Sequence, residues 1–464
     1  MNVTMRLARI LFVSVSALSL AGCLEATPRP SLAMGDVPRA FQGSAAPDAP
    51  IWPAKDWWRT FSSTELDSLI AQAQAGNLDL AAAEARVLQA DTRVRQAGAS
   101  LLPSVGFNAD AAKSSRGDSF GLSLGASYEL DFWDKNKSAL EAAQASNRAT
   151  RADRETVALT ATAATANAYF QILSYRERLT IARLNLETAE AVLMVTESRV
   201  RNGIATPLEL AQQRAQIAGI QAGIPQLEQQ ELQTRAALAL LLGRPPEGFD
   251  VAAQDIESMA LPDVAPGLPS ELLARRPDVA AAEAGLEAGH ANVAVARAAM
   301  FPSISLTGSG GLASAALGTL VTHPVESYSL GASLAQTIFD AGRLRAQTDE
   351  ARAAETELLA NYRKAAVTAF SETETSLGAV ANIAAQQSYL AEQANQSELA
   401  FNIAQARYRE GVADYLTVLD AQRTLYSARD ALGQIKLARL LAIVGLYKAL
   451  GGGWENPAAT LATK

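Results

Sequence analysis

The chain holds a single cysteine and two histidines in 464 residues. No intramolecular disulfide can form, and a Cys/His zinc cluster lacks its ligands. A net charge of −8 argues against nucleic acid, which would want a basic face. Proline is absent between Pro103 and Pro207 and again between Pro324 and Pro457. Those two gaps allow helices far longer than a globular domain uses. Aromatic residues are scarce, at 6%. Alanine, glutamine, leucine and glutamate dominate instead, which is the composition of long helices.

Length alone allows about two or three domains. The sequence organises them as a duplication. Leu102-Pro103 returns as Phe301-Pro302, and Leu130-Asp131-Phe132 as Thr337-Ile338-Phe339. Arg201-Asn202-Gly203-Ile204-Ala205 returns as Arg409-Glu410-Gly411-Val412-Ala413, and Leu241-Leu242-Gly243 as Ala449-Leu450-Gly451. The offset, by subtraction, is 199 at the prolines and 208 at the later glycines. Solenoid repeats are much shorter.

The N-terminus carries Arg6 and Arg9, then an apolar run from Ile10 to Leu20 that ends in Leu20-Ala21-Gly22-Cys23. A run of about eleven residues suits a signal h-region and is too short to span a bilayer. The ending resembles a bacterial lipobox, which makes Cys23 the expected lipid attachment point. An ordinary cleaved secretory signal with a chance cysteine is the competing reading. Leu24 is not the aspartate that in many lipoproteins signals inner-membrane retention, so the outer membrane of a Gram-negative bacterium is the expected destination.

Two stretches switch from helical to strand periodicity. Val105, Phe107, Ala109 and Ala111 alternate with Ser104, Gly106, Asn108 and Asp110, and Phe120 to Leu130 repeats the pattern. Ile304 and Leu306, then Tyr328, Leu330, Ala332 and Leu334, do the same in the second half. Period two with one apolar face predicts strands. Strands of about ten residues match the reach of a tilted membrane strand. Each hairpin is followed by a helix of about 70 residues, about 100 Å at 1.5 Å per residue. A glycine tip and a returning helix follow.

The predicted boundaries are a signal peptide at 1–22, a lipidated arm at 23–63, a first repeat at 64–243, an irregular linker at 244–277, a second repeat at 278–451 and a tail at 452–464. Within the repeats the reading places hairpins at 103–131 and 302–338, long helices at 134–201 and 340–409, and return helices at 207–242 and 415–450. The returning helices also carry Pro225 and Gly433 at the common offset, both residues that bend helices. Four strands cannot close a barrel, which needs about eight or more, and an open sheet edge is untenable in lipid. Several chains must therefore combine. A trimer is the simplest cyclic solution, giving twelve strands. The fold class is α+β and mainly α, with two internal repeats: a trimeric 12-stranded barrel continued by a long periplasmic helical barrel.

Four segments stand out: Leu268-Pro269-Ser270-Glu271-Leu272-Leu273-Ala274-Arg275-Arg276-Pro277-Asp278-Val279 after the linker, Tyr128-Glu129-Leu130-Asp131-Phe132-Trp133, Ala298-Ala299-Met300-Phe301-Pro302, and Tyr415 to Arg423. Together they resemble the TolC-type outer-membrane efflux family, and within it the NodT-like, OprM-like lipoproteins of resistance-nodulation-division (RND) efflux systems. The first of them is similar to that branch's hallmark. The resemblance implies a homotrimeric conduit docked through a periplasmic adaptor onto an inner-membrane RND transporter. It would export drugs or other small toxic compounds across outer-membrane lipid.

The two tips are then the surfaces that reach the adaptor: Gly203, Ile204 and Ala205, and Gly411, Val412 and Ala413. Thr417-Val418-Leu419-Asp420 resembles the family's aperture region. Asp420, with Leu416 one turn away, is the candidate for a closed periplasmic entrance, and Asp414 is the next. A solvated Asp420, or one paired with Arg423, is the bland reading. No catalytic residue, cofactor or metal is expected. His290 and His323 read as isolated, and Gly308-Ser309-Gly310-Gly311 lacks the lysine and helix start of a phosphate loop. Two other classes compete. One is an outlet for type I protein secretion; the other is a non-conducting tether, against which the strand alternation speaks.

Cys23→Ser is expected to abolish acyl labelling while much of the protein stays in the membrane fraction, because an acyl chain anchors weakly beside a barrel. N-terminal mass spectrometry of the mature protein checks the assignment. Residues 1–22 still attached would overturn it.

Overall fold

The computed structural model describes residues 40–41, 51–115, 117–253, 255–257, 259–262 and 269–456. Cys23, the signal segment and Leu268 lie outside them. The order is α1 (Thr64–Gly76), α2 (Leu78–Ala99), β1 (Ser104–Ser114), β2 (Gly117–Leu130), α3 (Lys135–Arg201), α4 (Pro207–Leu241), α5 (Pro269–Arg275), α6 (Pro277–Ala298), β3 (Ser303–Ser314), β4 (Val325–Ala335), α7 (Arg343–Arg409) and α8 (Tyr415–Ala449). The duplication is literal. α3 and α7 each run 67 residues and α4 and α8 each run 35. By subtraction, both pairs start 208 residues apart, whereas α2 and α6, and β1 and β3, start 199 apart. Eight of those nine extra residues lie in one place, the connection between the strands. Residues 115–116 join β1 to β2, but a loop at 315–324, with a short 3-10 turn at Leu317–Thr319, joins β3 to β4.

The chain forms two compact units. In the first, Ala90–Asn147 and Ala284–Asn361 hold the sheet and the helix segments next to it. All four strands are antiparallel in the order β1-β2-β3-β4, so β2 of one repeat pairs with β3 of the other. The register sorts the faces. Phe107 lies opposite Leu124, Tyr128 opposite Leu306 and Ile304 opposite Leu334, while Ser104 lies opposite Ser127 and Ser309 opposite Ser329. One face is therefore apolar and the other small and polar, and a one-residue slip would exchange them. Gly308-Ser309-Gly310-Gly311 lies inside β3. Gly311 is there for space, since a Cβ would sit 2.7 Å from the Leu122 carbonyl oxygen.

The turns from sheet to helix use aspartates as caps. Asp131 accepts from the amides of Asn136 and Lys137 at 3.0 and 2.8 Å, and Asp340 from those of Gly342 and Leu344 at 3.0 and 2.9 Å. Carboxylates there satisfy free N–H groups and complement the helix dipole. His290, which reads as isolated in the sequence, bonds through Nδ1 to Glu355 at 2.7 Å. Helical neighbours on different chain segments are invisible to sequence spacing.

The second unit holds the main core. Trp57 stacks on Tyr447 at 5.0 Å, and Phe61 meets Phe170 at 5.0 Å. Leu66, Leu69, Ile70 and Ala73 present one stripe of α1 to this cluster. Phe249, Val251 and Ile256 of the linker are buried with them. Arg176 fixes that linker by donating to the carbonyls of Val251 and Ala253 and pairing with Glu231. Glu65 accepts from the amides of Ala252 and Ala253. Among the described residues no helix is long and apolar enough to cross a membrane.

Two equivalent joints lock the return helices. Asn77 donates to the Leu241 carbonyl at 2.9 Å, and Arg276, its counterpart, donates to the Ala449 carbonyl at 3.1 Å. Arg276 is buried and pairs with Asp278 and Glu372, each at 2.7 Å. Its neighbour Arg275 covers the Trp52 ring at 4.6 Å, and the Trp52 indole donates to Glu271. The Glu271-to-Asp278 motif is thus a packing device that seats the arm and caps α8 at once. Gly433 is buried where α8 meets α3, since a Cβ there would lie 3.3 Å from the Arg178 side chain.

Each joint also contains a glycine with positive φ, Gly243 at +71° and Gly451 at +83°. A Cβ on either would lie 1.9 Å from a backbone carbonyl oxygen, of Gly76 or Arg275. Gly243→Ala and Gly451→Ala are therefore expected to lower the yield of folded protein sharply. Gly219→Ala meets open space inside a helix and is expected to gain about 0.5–1 kcal/mol. Thermal melts of detergent-solubilised protein check both. Equal tolerance at all three positions would refute the assignment.

Candidate functional site

The two helix reversals are built by the same local chemistry. Gly203 has φ +72° and Gly411 has φ +77°. At the first tip the Ile204 amide bonds the Arg199 carbonyl at 2.9 Å and the Gly203 amide bonds that of Val200 at 3.0 Å. At the second, Val412 bonds Arg407 at 2.9 Å and Gly411 bonds Tyr408 at 3.0 Å. This 6→1 and 5→2 pattern is a Schellman close, which requires a left-handed residue and so selects glycine. The next helix starts at once. Thr206 forms a capping box with Glu209, and Asp414 caps through Thr417.

Packing inside the tips exposes some apolar groups and buries others. Ile204, Leu208, Val412 and Leu416 are each more than half exposed. Ala205 is buried at the first tip and Ala413 is half-buried at the second. Leu416 and Asp420 fall one turn apart on the exposed face of α8, opposite the buried Val418, Leu419, Gln422 and Leu425. Asp420 makes no ion pair among the described residues; Arg423 donates instead to Gln216 at 3.2 Å. Asp414 does a different job. Its carboxylate accepts from the Thr417 amide at 2.8 Å and hydroxyl at 2.7 Å. Those two bonds hold the Asp414 carboxyl below the usual carboxylate range.

A polar network behind the tips escaped the sequence reading. Arg199 donates to the Tyr408 carbonyl at 2.6 Å and lies 4.4 Å over the Tyr408 ring. Tyr408 donates to Glu209 at 3.3 Å. Tyr415 donates to Gln213 at 2.7 Å, and Gln213 in turn donates to the Ala189 carbonyl at 2.7 Å. Tyr426 donates to the Asn185 carbonyl at 2.8 Å and accepts from Gln422. Burial pushes the Tyr426 phenol up to about 12 and raises those of Tyr408 and Tyr415 as well. All three therefore stay neutral donors at physiological pH. A signal was available: three of the chain's ten tyrosines fall between positions 408 and 426. Arg178–Asp430 at 2.7 Å and Lys436–Glu177 at 3.0 Å extend the links between the first-repeat and second-repeat helices.

No group of side chains among the described residues could hold a metal ion. A family model described as outer membrane efflux protein matches residues 69–244 and 268–452. The chain belongs to the outer membrane efflux protein family. It is 43% identical over 97% of its length, and 98% of the relative's, to the pyoverdine export outer membrane protein OpmQ of Pseudomonas aeruginosa. It is 32% identical over 95% of its length, and 98% of the relative's, to the cation efflux system protein CusC of Escherichia coli. The solved outer-membrane channel OprN superposes with a TM-score of 0.86 at 29% identity, covering 94% of this chain and 100% of that one.

Members of this family are channels of trimeric type, with a β-barrel continued by a helical tunnel, and this chain has that fold. It is an efflux channel of the Gram-negative outer membrane, of the kind that serves tripartite pumps.

Asp414 gives the second tip a pH dependence of defined sign. A carboxyl whose folded value is lowered stabilises the fold above its unfolded value near 3.9. That stability is lost as pH falls from there through the lower folded value. Hydrogen exchange at the Thr417 amide is expected to speed up beyond its intrinsic pH trend below about pH 4. Asp414→Asn, which still caps, is expected to remove that excess. Identical protection in both proteins across the range would rule out a titrating cap.

Proposed function

We propose that three copies of this chain close one barrel and one helical tunnel, forming a passive conduit for small molecules. The single observation that carries this reading is the sheet. Its order leaves the outer edges of β1 and β4 unpaired among the described residues, and a lipid-facing edge must be paired. Three four-stranded sheets joined β4 to β1 satisfy every edge. Lipidation at Cys23 adds an anchor to the same membrane.

The tips at Gly203, Ile204 and Ala205 and at Gly411, Val412 and Ala413 are proposed to dock a periplasmic adaptor, which couples the conduit to an inner-membrane RND transporter. Support comes from the two matching reversals, each showing an apolar side chain to solvent. Three chains present six such tips, so a hexameric adaptor fits by pseudo-symmetry. Leu416 and Asp420 are proposed to line the closed entrance. Asp414, nearer the tip, holds the turn that places them and is the next candidate for a gate contact. Three Asp420 carboxylates would favour cations over anions. Cargo is proposed to be small toxic compounds or an exported product such as pyoverdine, which names the relative OpmQ. CusC, a relative of the same build, is named for cations, so the choice of cargo belongs to the partner pump.

Single-channel recording on purified trimers tests the reading. Asp420→Asn is expected to reduce cation selectivity, and Leu416→Ala to raise the closed-state conductance. Wild-type behaviour of both variants would place the gate on other residues. A protein that never conducts would favour a tether.

A further inference from the structure

The polar face of the sheet carries almost no side-chain bulk. Its residues are mostly serine and glycine, and the hydroxyls satisfy each other across strands: Ser305–Ser333 at 2.7 Å and Ser309–Ser329 at 2.9 Å. Polar faces of membrane barrels line the lumen, so this wall is wide, neutral and rich in hydroxyls. Among the described strand residues only two charges share the face, Asp110 and Glu129. Lys135 neutralises Glu129 at 2.6 Å. Lys113, Asp118 and Glu326 fall on the other face by the same register.

Asp110 is different. It makes no ion pair among the described residues, and it is exposed. The register sets it in a row with Gly121, Ala313 and Val325, none of which has a polar side chain. Its carboxylate lies over Gly121: a Cβ on that glycine would be 2.6 Å from the nearer carboxylate oxygen. Gly121 thus leaves the space that the carboxylate fills. The row lies about 20 Å along β1 from Ser104, toward the β1–β2 turn and away from the helices.

We propose that Asp110 is the charge-selecting residue of the barrel lumen, its three copies forming a carboxylate ring near the outer mouth that favours cationic solutes. The proposal rests on the trimeric-conduit reading. It differs from the Asp420 entrance in place, since Asp110 lies in β1 and Asp420 in α8. Salt sets the strength of the effect. Charges in a wet lumen are screened over about 10 Å at 0.1 M salt but about 30 Å at 0.01 M. The ring should therefore act weakly in strong salt and clearly in dilute salt.

Sidedness separates this ring from the periplasmic entrance. Purified trimers are reconstituted in planar bilayers in dilute salt, and hexaamminecobalt(III), a trivalent cation, is added to the barrel side alone. Wild-type current should fall. Asp110→Asn should lose that block, Asp110→Glu should retain it, and Asp420→Asn should also retain it. Barrel-side block that persists in Asp110→Asn would overturn the proposal while leaving the conduit intact. Absence of channels in every protein would overturn the conduit reading, and the proposal with it.

Discussion

Everything in this molecule follows from a sheet that one chain cannot finish. Four strands carry two bare edges, and lipid offers their N–H and C=O groups no partner. Closure by symmetry copies meets that constraint. It also explains why large apolar groups stand exposed on the strands of a single chain, among them Phe107, Tyr328 and Leu330. Such exposure would be an aggregation hazard on a soluble monomer. On a barrel wall it is the lipid contact.

The duplication solves a second problem, that of making one tube from two kinds of segment. Each repeat supplies a hairpin, a 67-residue helix and a 35-residue return helix, so the two repeats contribute near-identical staves. The repeats are not interchangeable in detail. Asn77 and Arg276 cap equivalent helices, but only Arg276 adds a paired charge and only its neighbour clasps Trp52. The first tip starts its return helix with Pro207, the second with Tyr415, which is buried against the first repeat through Gln213. Pseudo-sixfold geometry at the backbone thus coexists with threefold chemistry.

Fold class was legible because it depends on period. Val105 to Ala111 and Tyr328 to Leu334 alternate too regularly to be helix, and two long proline-free runs leave little choice but helix. The tips were legible because a left-handed reversal favours glycine. Other features turn on pairings that linear spacing does not encode. The β2–β3 register joins residues from opposite halves of the chain. Gln213 and Gln422 are polar yet fully buried, each bonded to a tyrosine hydroxyl. Asp414 carries the same signal for a cap as for a channel-lining acid, and only its bonds to Thr417 reveal the cap.

The unequal turns between strands have a consequence at the cell surface. β1 and β2 are joined by residues 115–116, whereas β3 and β4 are joined by a loop at 315–324 with its own short helical turn. In a threefold barrel, tight and roomy turns alternate around the outer rim. The longer loop therefore comes three times per trimer rather than six, each copy drawn from the second repeat.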